Sequence, residues 1–386
     1  MQATDDGFDQ RLFSMLGGPL HRLGIRLGLV RDHTRTVRLG LAIALLLWGV
    51  SVLLAWALGV ELLTFAMLGA HVRLLLVIPL MFIAESLLDP RMDSFIRVAI
   101  RSRVVPGEST TRLLEALARI ARWKDMWLPE AACLLVAISI IWLAPLLHIP
   151  GTDSTLETNK PAHIAAAGWW YSIVCLTVFR FLFLRLLCRL LLWCYCLWAL
   201  SRLPLRLVPA HSDGMAGLGE LEVVHLHFAP LILAISSALA ASFAVDIDAG
   251  AMTLDGVYPA IGAILILDAV LVVGPLLFFA GQLWACKVKG VGDYMMLAER
   301  YSARFERKWI DGAGPDEDLL GTGDIQSLAD LTTAIGVVRR VRIVPISPGV
   351  MLNLAMVALI PMLPLLLFKY PMAELIGQML GRLTGL

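Results

Sequence analysis

Long apolar runs alternate with shorter polar stretches along the whole chain. The runs match what a helix needs to cross a bilayer, ~20 residues at 1.5 Å rise against a ~30 Å hydrocarbon layer. Read with a membrane-length window, they predict seven spans, at 39–59, 71–88, 126–147, 168–200, 228–245, 257–286 and 349–368. The fourth reaches roughly 50 Å as a helix, so it must tilt or project beyond the layer. Pro79 interrupts the second span, Gly274 and Pro275 with Gly281 mark the sixth, and Pro361 and Pro364 mark the seventh. A proline in a membrane helix frees a backbone carbonyl, and the kink serves either as a fixed bend or as a hinge, so Gly274 and Pro275 are the hinge candidates. The amphipathic segment 372–386 suits the membrane interface. No fixed-period repeat is visible, and the two halves do not mirror each other.

The polar stretches between spans predict helices of their own. Over 109–124, Leu113, Leu117 and Ile120 fall on one face while Glu115 and Arg119 pair at i,i+4 on another. A second loop helix is expected from Asp324, as N-cap, through 342. Between the sixth span and that helix, the Gly- and Asp-rich 312–324 reads as an exposed connector. The expected fold is an all-α polytopic membrane protein. It comprises a basic cytoplasmic segment 1–38, helices and a cytoplasmic helical loop (89–125) over 39–286, a cytoplasmic helical module 287–348, and a last span with its tail over 349–386.

Composition agrees: 59% of the 386 residues are hydrophobic and 16% charged, against roughly 45–50% and about 25% in soluble domains. Charge fixes orientation. Of the 32 Lys and Arg, 25 fall on one side of the predicted spans, and only Arg73, Lys160, Lys369 and Arg382 on the other. Because cytoplasmic loops retain cations, the N-terminus is expected inside and the C-terminus outside, which an odd number of spans requires. The net charge of +1 gives no reason to expect a nucleic-acid partner. The opening MQATDDGFDQ is acidic, so no cleavable signal peptide is expected and the first span acts as its own insertion signal. All six cysteines lie within apolar spans as small hydrophobes, and neither a disulfide framework nor a zinc ribbon is expected.

Ionisable groups at membrane depth carry the candidate chemistry, since a charge at the bilayer centre costs ~2.5–3.5 kcal/mol even on lenient scales. Arg180 and Asp268 sit at similar depth in the fourth and sixth spans, which predicts a pair, either static or opening for an ion. Arg185 and Arg189 share a face lower in the fourth span, ahead of Trp193, Tyr195 and Trp198. They read either as snorkelling groups on lipid phosphate above an aromatic belt or as a charged vestibule, with Glu85 and Glu130 as counter-charges. In the fourth-to-fifth loop, His211, Asp213, His225 and His227 match no defensible ligand spacing, so no metal or other cofactor is expected, and Gly214, Gly217 and Gly219 favour a tight turn.

The stretch His-Ser-Asp-Gly-Met-Ala-Gly-Leu-Gly at 211–219, and Asp-Ile-Gln-Ser-Leu-Ala-Asp at 324–330 ahead of Arg339 and Arg340, resemble a family of bacterial inner-membrane proteins of unassigned function. Ser212 and Ala216 depart from that family's His-Pro-Asp and Gly-Gly-Leu-Gly pattern. The resemblance covers two loops and implies a bacterial cytoplasmic membrane but no activity.

An enzyme is not expected. The Gly-x-Gly-Asp strings at 290–293 and 321–324 resemble an intramembrane aspartyl protease signature, but both lie in the cytoplasmic loop, and no HExxH, P-loop or GxSxG occurs. The expected function is a channel or transporter for an ion or small solute, as a homo-oligomer in the lipid bilayer, with the buried Arg180–Asp268 pair in its bundle and cytoplasmic helices as its candidate gate. The alternative is a scaffold or signalling subunit that recruits a cytoplasmic protein partner.

Overall fold

The computed structural model describes residues 11–30, 36–59, 61, 64–143, 168–311 and 322–368. The expected interfacial tail 372–386 and most of the connector 312–324 lie outside the described residues. Every regular element among the described residues is helical. In chain order these are α1 (Gly18–Arg26), α2 (Val37–Leu58), α3 (Phe65–Arg101), α4 (Gly107–Asp125) and α5 (Trp127–Leu143). They are followed by α6, in which a π-helical turn over Trp170–Cys175 runs into Leu176–Ser201, then α7 (Glu220–Leu226) and α8 (Ala229–Asp248). Last come α9 (Leu254–Ile310), α10 (Asp324–Arg339) and α11 (Pro348–Phe368).

Five stretches among the described residues are long and apolar enough to cross a membrane: α2, α3, the joined α7 and α8, α9 and α11. The architecture is that of a multi-pass membrane protein by length and composition. Two of the seven predicted spans fall short of that measure. The described part of α5 ends at Leu143, and its apolar portion, Trp127–Ile141, is short; α6 carries Arg180, Arg185 and Arg189 along its length.

Apolar windows also underestimate helix length, because backbone hydrogen bonding does not stop where side chains turn polar. The second predicted span, 71–88, is one turn-rich stretch of a helix from Phe65 to Arg101, and the sixth, 257–286, belongs to a helix of 57 residues. Prolines alter these helices without breaking them. The turn before Pro79 widens to π geometry over Val72–Val77, while Gly274–Phe279 and Ile360–Phe368 tighten to 3₁₀ geometry around Pro275, Pro361 and Pro364. The predicted hinge at Gly274 and Pro275 is thus a continuous tightened segment, with Pro275 buried.

α3 is the central rod. Its buried residues include Phe82, Leu88, Met92, Phe95 and Ile96, and it packs against α2, α6, α7 and α8. The indole of Trp193 on α6, predicted for an aromatic belt, is instead fully buried. Phe13 and Phe95 meet it edge-on, with centroids 5.3 Å and 6.0 Å away. Tyr195, half-buried, and Trp198, exposed, stack on each other. The predicted amphipathic helix is α4, and its Leu113, Leu117 and Ile120 are all buried in the same core.

Beyond Lys287, α9 leaves this core and pairs with α10 as a helical hairpin. Tyr301 Oη donates to the Asp324 carbonyl at 2.9 Å, and Lys308 and Trp309 both donate to the Asp324 carboxylate at 3.0 Å. Asp324 is therefore the first residue of α10, with Gly323 as cap, rather than the N-cap. The hairpin leaves Met296, Leu297, Ile310 and Ile325 exposed.

Candidate functional site

Four of the six ionisable candidates converge between α3, α5 and α6. Arg185 and Arg189, one turn apart on α6, are 3% and 5% exposed, and so belong to the interior rather than to lipid phosphate. Arg185 Nη1 lies 3.5 Å from Glu85 Oε1, and Arg185 Nε lies 3.3 Å from Glu130 Oε1. Arg189 Nη1 is 3.0 Å from Glu85 Oε2, yet neither atom is aligned for a hydrogen bond, so the attraction there is Coulombic. Arg189 Nη2 donates instead to the Gly17 carbonyl at 2.7 Å, and the Arg185 guanidinium lies over the Phe82 ring at 5.8 Å. Two guanidiniums and two carboxylates thus neutralise each other where either alone would be heavily penalised.

Sequence reasoning missed what this network holds. Residues 11–17 form an irregular, bent strap laid along α3, with Phe13, Met15 and Leu16 buried. The carboxylates at 85, 89 and 93 are spaced i,i+4 along one face of α3. Asp89, fully buried, accepts from the backbone N–H of Met15 at 2.6 Å and of Leu16 at 3.4 Å, from Ser14 Oγ at 2.9 Å and from Arg11 at 3.0 Å. Asp93 accepts from the N–H of Leu12 at 2.9 Å and of Phe13 at 3.0 Å, and pairs with Arg97 at 2.6 Å. Glu130 closes the strap by accepting from the Leu20 N–H at 3.1 Å. A strap without a regular ladder needs such partners for its buried donors. The i,i+4,i+8 acidic spacing is the available signal, masked because the apolar run of the second predicted span ends at 88, between Glu85 and Asp89.

Two cavities meet at Glu130. One, of about 870 Å³, has Arg22, Arg26 and Asp125 in its wall; the other, of about 230 Å³, is lined by Lys124, Arg185, Arg189 and apolar groups. Glu130 belongs to both walls.

The predicted Arg180–Asp268 pair does not form. Asp268 is 5% exposed, and neither carboxylate oxygen finds a hydrogen-bond partner among the described residues. Arg180 lies instead beside Arg73 and Tyr171, where Arg73 donates to Tyr171 Oη at 2.9 Å and to Ser242 Oγ at 2.7 Å. Equal depth left azimuth undefined: the Asp268 portion of α9 packs chiefly on α8 and α11, and α6 meets α9 at the tightened turn after it.

The loop after α6 is a structural clamp. Asp213 gathers the N–H groups of Met215 at 2.8 Å, Gly217 at 3.0 Å and Gly219 at 2.8 Å, with the His211 ring 2.9 Å away. Gly217 has φ 100, and Ala216 holds φ 56, at a position where the resembled pattern carries glycine. His225 and His227 each turn Nδ1 to a carbonyl one helical turn back, at 2.7 Å. Among the described residues no group of three or more metal-ligating side chains occurs. The Gly290 of the first Gly-x-Gly-Asp string sits where a Cβ would meet Pro209 at 2.5 Å, so it serves close packing of this loop on α9.

Burial raises the Asp213 carboxyl, but the Met215, Gly219 and Gly217 N–H groups and His211 together outweigh it, leaving the group below the usual carboxylate range. A lowered folded-state value means the clamp contributes its full stability above the unfolded value, about 3.9, and loses it as pH falls through the folded value. Hydrogen-exchange protection of residues 204–219, corrected for intrinsic rate, is expected to be flat down to about pH 4 and to fall below it. In Asp213→Asn that acid step should vanish and protection should be low throughout.

No protein-family model, curated protein or solved structure matches the chain.

Proposed function

We propose that this chain is a channel or transporter for an ion or small solute whose charge-handling site is the Glu85, Glu130, Arg185 and Arg189 network. The observation that carries this reading is the position of Glu130, a carboxylate shared by two cavity walls and bound to Arg185. A purely structural ion pair needs no open space on both sides; a group that exchanges an ion or a proton does. In this reading α5 and α6 complete seven spans with the N-terminus inside and the C-terminus outside, the membrane is the bacterial inner membrane, and the protein acts as a homo-oligomer. Arg180 and Asp268 have no part in it as a pair.

Reconstitution in planar bilayers under salt and proton gradients tests the proposal. Wild type is expected to conduct, and Glu130→Gln, which also removes a counter-charge of Arg185 and Arg189, to reduce flux per inserted and folded molecule at least ~10-fold, as removal of a polar group that contacts the transported species would. A silent wild type, or unchanged flux in Glu130→Gln, would end the transport reading. One observation favours the scaffold reading, with its cytoplasmic protein partner: the hairpin of α9 and α10 carries exposed Met296, Leu297, Ile310 and Ile325 outside the bundle.

A further inference from the structure

One helical turn from the Arg185–Glu130 ion pair, the same two helices bring two thiols together. Cys133 follows Glu130 by three residues on α5 and Cys188 follows Arg185 by three on α6, so each thiol shares a face with a member of that pair. The two Sγ atoms stand 3.4 Å apart, and both thiols are free. Among the described residues, none of the other four cysteines has another sulfur in hydrogen-bond reach. Cys133 is 6% exposed and Cys188 half-buried, and both line the cavity of about 230 Å³ beside Lys124 and Arg185. A packing role alone requires neither a matched pair across the interface nor an opening beside it. A disulfide bond of ~2.05 Å requires the two sulfurs, 3.4 Å apart, to approach by roughly another 1.4 Å.

We propose that Cys133 and Cys188 are an oxidisable dithiol that closes to a disulfide between α5 and α6 when hydrogen peroxide enters this cavity. Cys188, the more accessible thiol, gives up its proton as its sulfur attacks one peroxide oxygen. The O–O bond breaks, the departing hydroxide takes that proton and leaves as water, and Cys188 becomes a sulfenic acid. The Cys133 sulfur then attacks the Cys188 sulfur, the S–O bond breaks, and the second water leaves with the Cys133 proton. The two sulfurs lose two electrons in all, and the peroxide gains them. Lys124 and Arg185 face the cavity as cations suited to stabilise the hydroxide as it departs. The new bond fixes α5 against α6 one turn from Glu130 and Arg185, so oxidation holds that ion pair in place.

The test uses the full chain in lipid nanodiscs, treated with hydrogen peroxide, denatured, alkylated and digested without reductant. Alkylatable thiols are expected to fall from the six free cysteines by two, with a linked Cys133–Cys188 peptide that dithiothreitol releases. Cys133→Ser should leave Cys188 as a sulfenic acid that dimedone captures, with no linked peptide. Undiminished thiols in the wild type, or conversion of Cys188 to sulfinic acid without the link, would overturn the proposal. The readout is sulfur chemistry, so it stands apart from any result on flux.

Discussion

Asp89→Ala is expected to unseat the strap and to be among the most damaging single changes in the chain. The side chain is fully buried, and its carboxylate receives two backbone N–H groups, the Ser14 hydroxyl and the Arg11 guanidinium. Each buried donor left without a partner costs about 1–3 kcal/mol. With the Met15 amide stranded and Arg11 unpaired, while the Leu16 N–H keeps the Ser14 hydroxyl and that hydroxyl keeps the Leu16 carbonyl, the loss should reach about 3 kcal/mol. Asp89→Asn keeps an acceptor oxygen and should lose roughly half as much. Protease cleavage within residues 11–17 of the protein in nanodiscs reads the outcome directly. Cleavage rates equal to wild type in Asp89→Ala would mean that the strap is held by Phe13 and Trp193 alone.

The second large effect is expected at Glu85. Its carboxylate is the one counter-charge within 4 Å of both Arg185 and Arg189 on the α3 side, and Glu85→Ala leaves two guanidiniums in the interior with only Glu130 to answer them. Breaking one partner of a buried pair costs about 3–5 kcal/mol. A double-mutant cycle with Arg185→Gln should return a coupling of at least ~1 kcal/mol, because the two groups share one network. The measurement is the folded fraction after graded heating, followed by gel filtration. A loss below ~1 kcal/mol in Glu85→Ala would place the cluster in water rather than in the interior.

The helices were legible because apolar length and i,i+4 faces are one-dimensional signals: α2, α4, α8, α10 and α11 fall close to where the pattern puts them. Glu85, Glu130, Arg185 and Arg189 were legible as candidates for the same reason, since charge in an apolar run stands out against its neighbours. Arg180 with Asp268 failed because depth along a helix fixes one coordinate and leaves rotation about the axis free. The strap had no signal of its own; 11–17 has neither helical nor strand period, and only the carboxylates at 89 and 93 on its partner helix betray it. The span boundary drawn at 88 cut those two residues away from Glu85 and hid the stripe.

The strap also imposes an order on biosynthesis. Arg189, which grips the Gly17 carbonyl, is made 172 positions later, roughly 10–35 s at ordinary ribosome speeds. Until then Phe13 lacks the Trp193 ring and the strap has only α3 to lie on. Seating this segment is therefore a late event of assembly, and a chain stalled before α6 would display it only partly covered to chaperones and quality-control proteases.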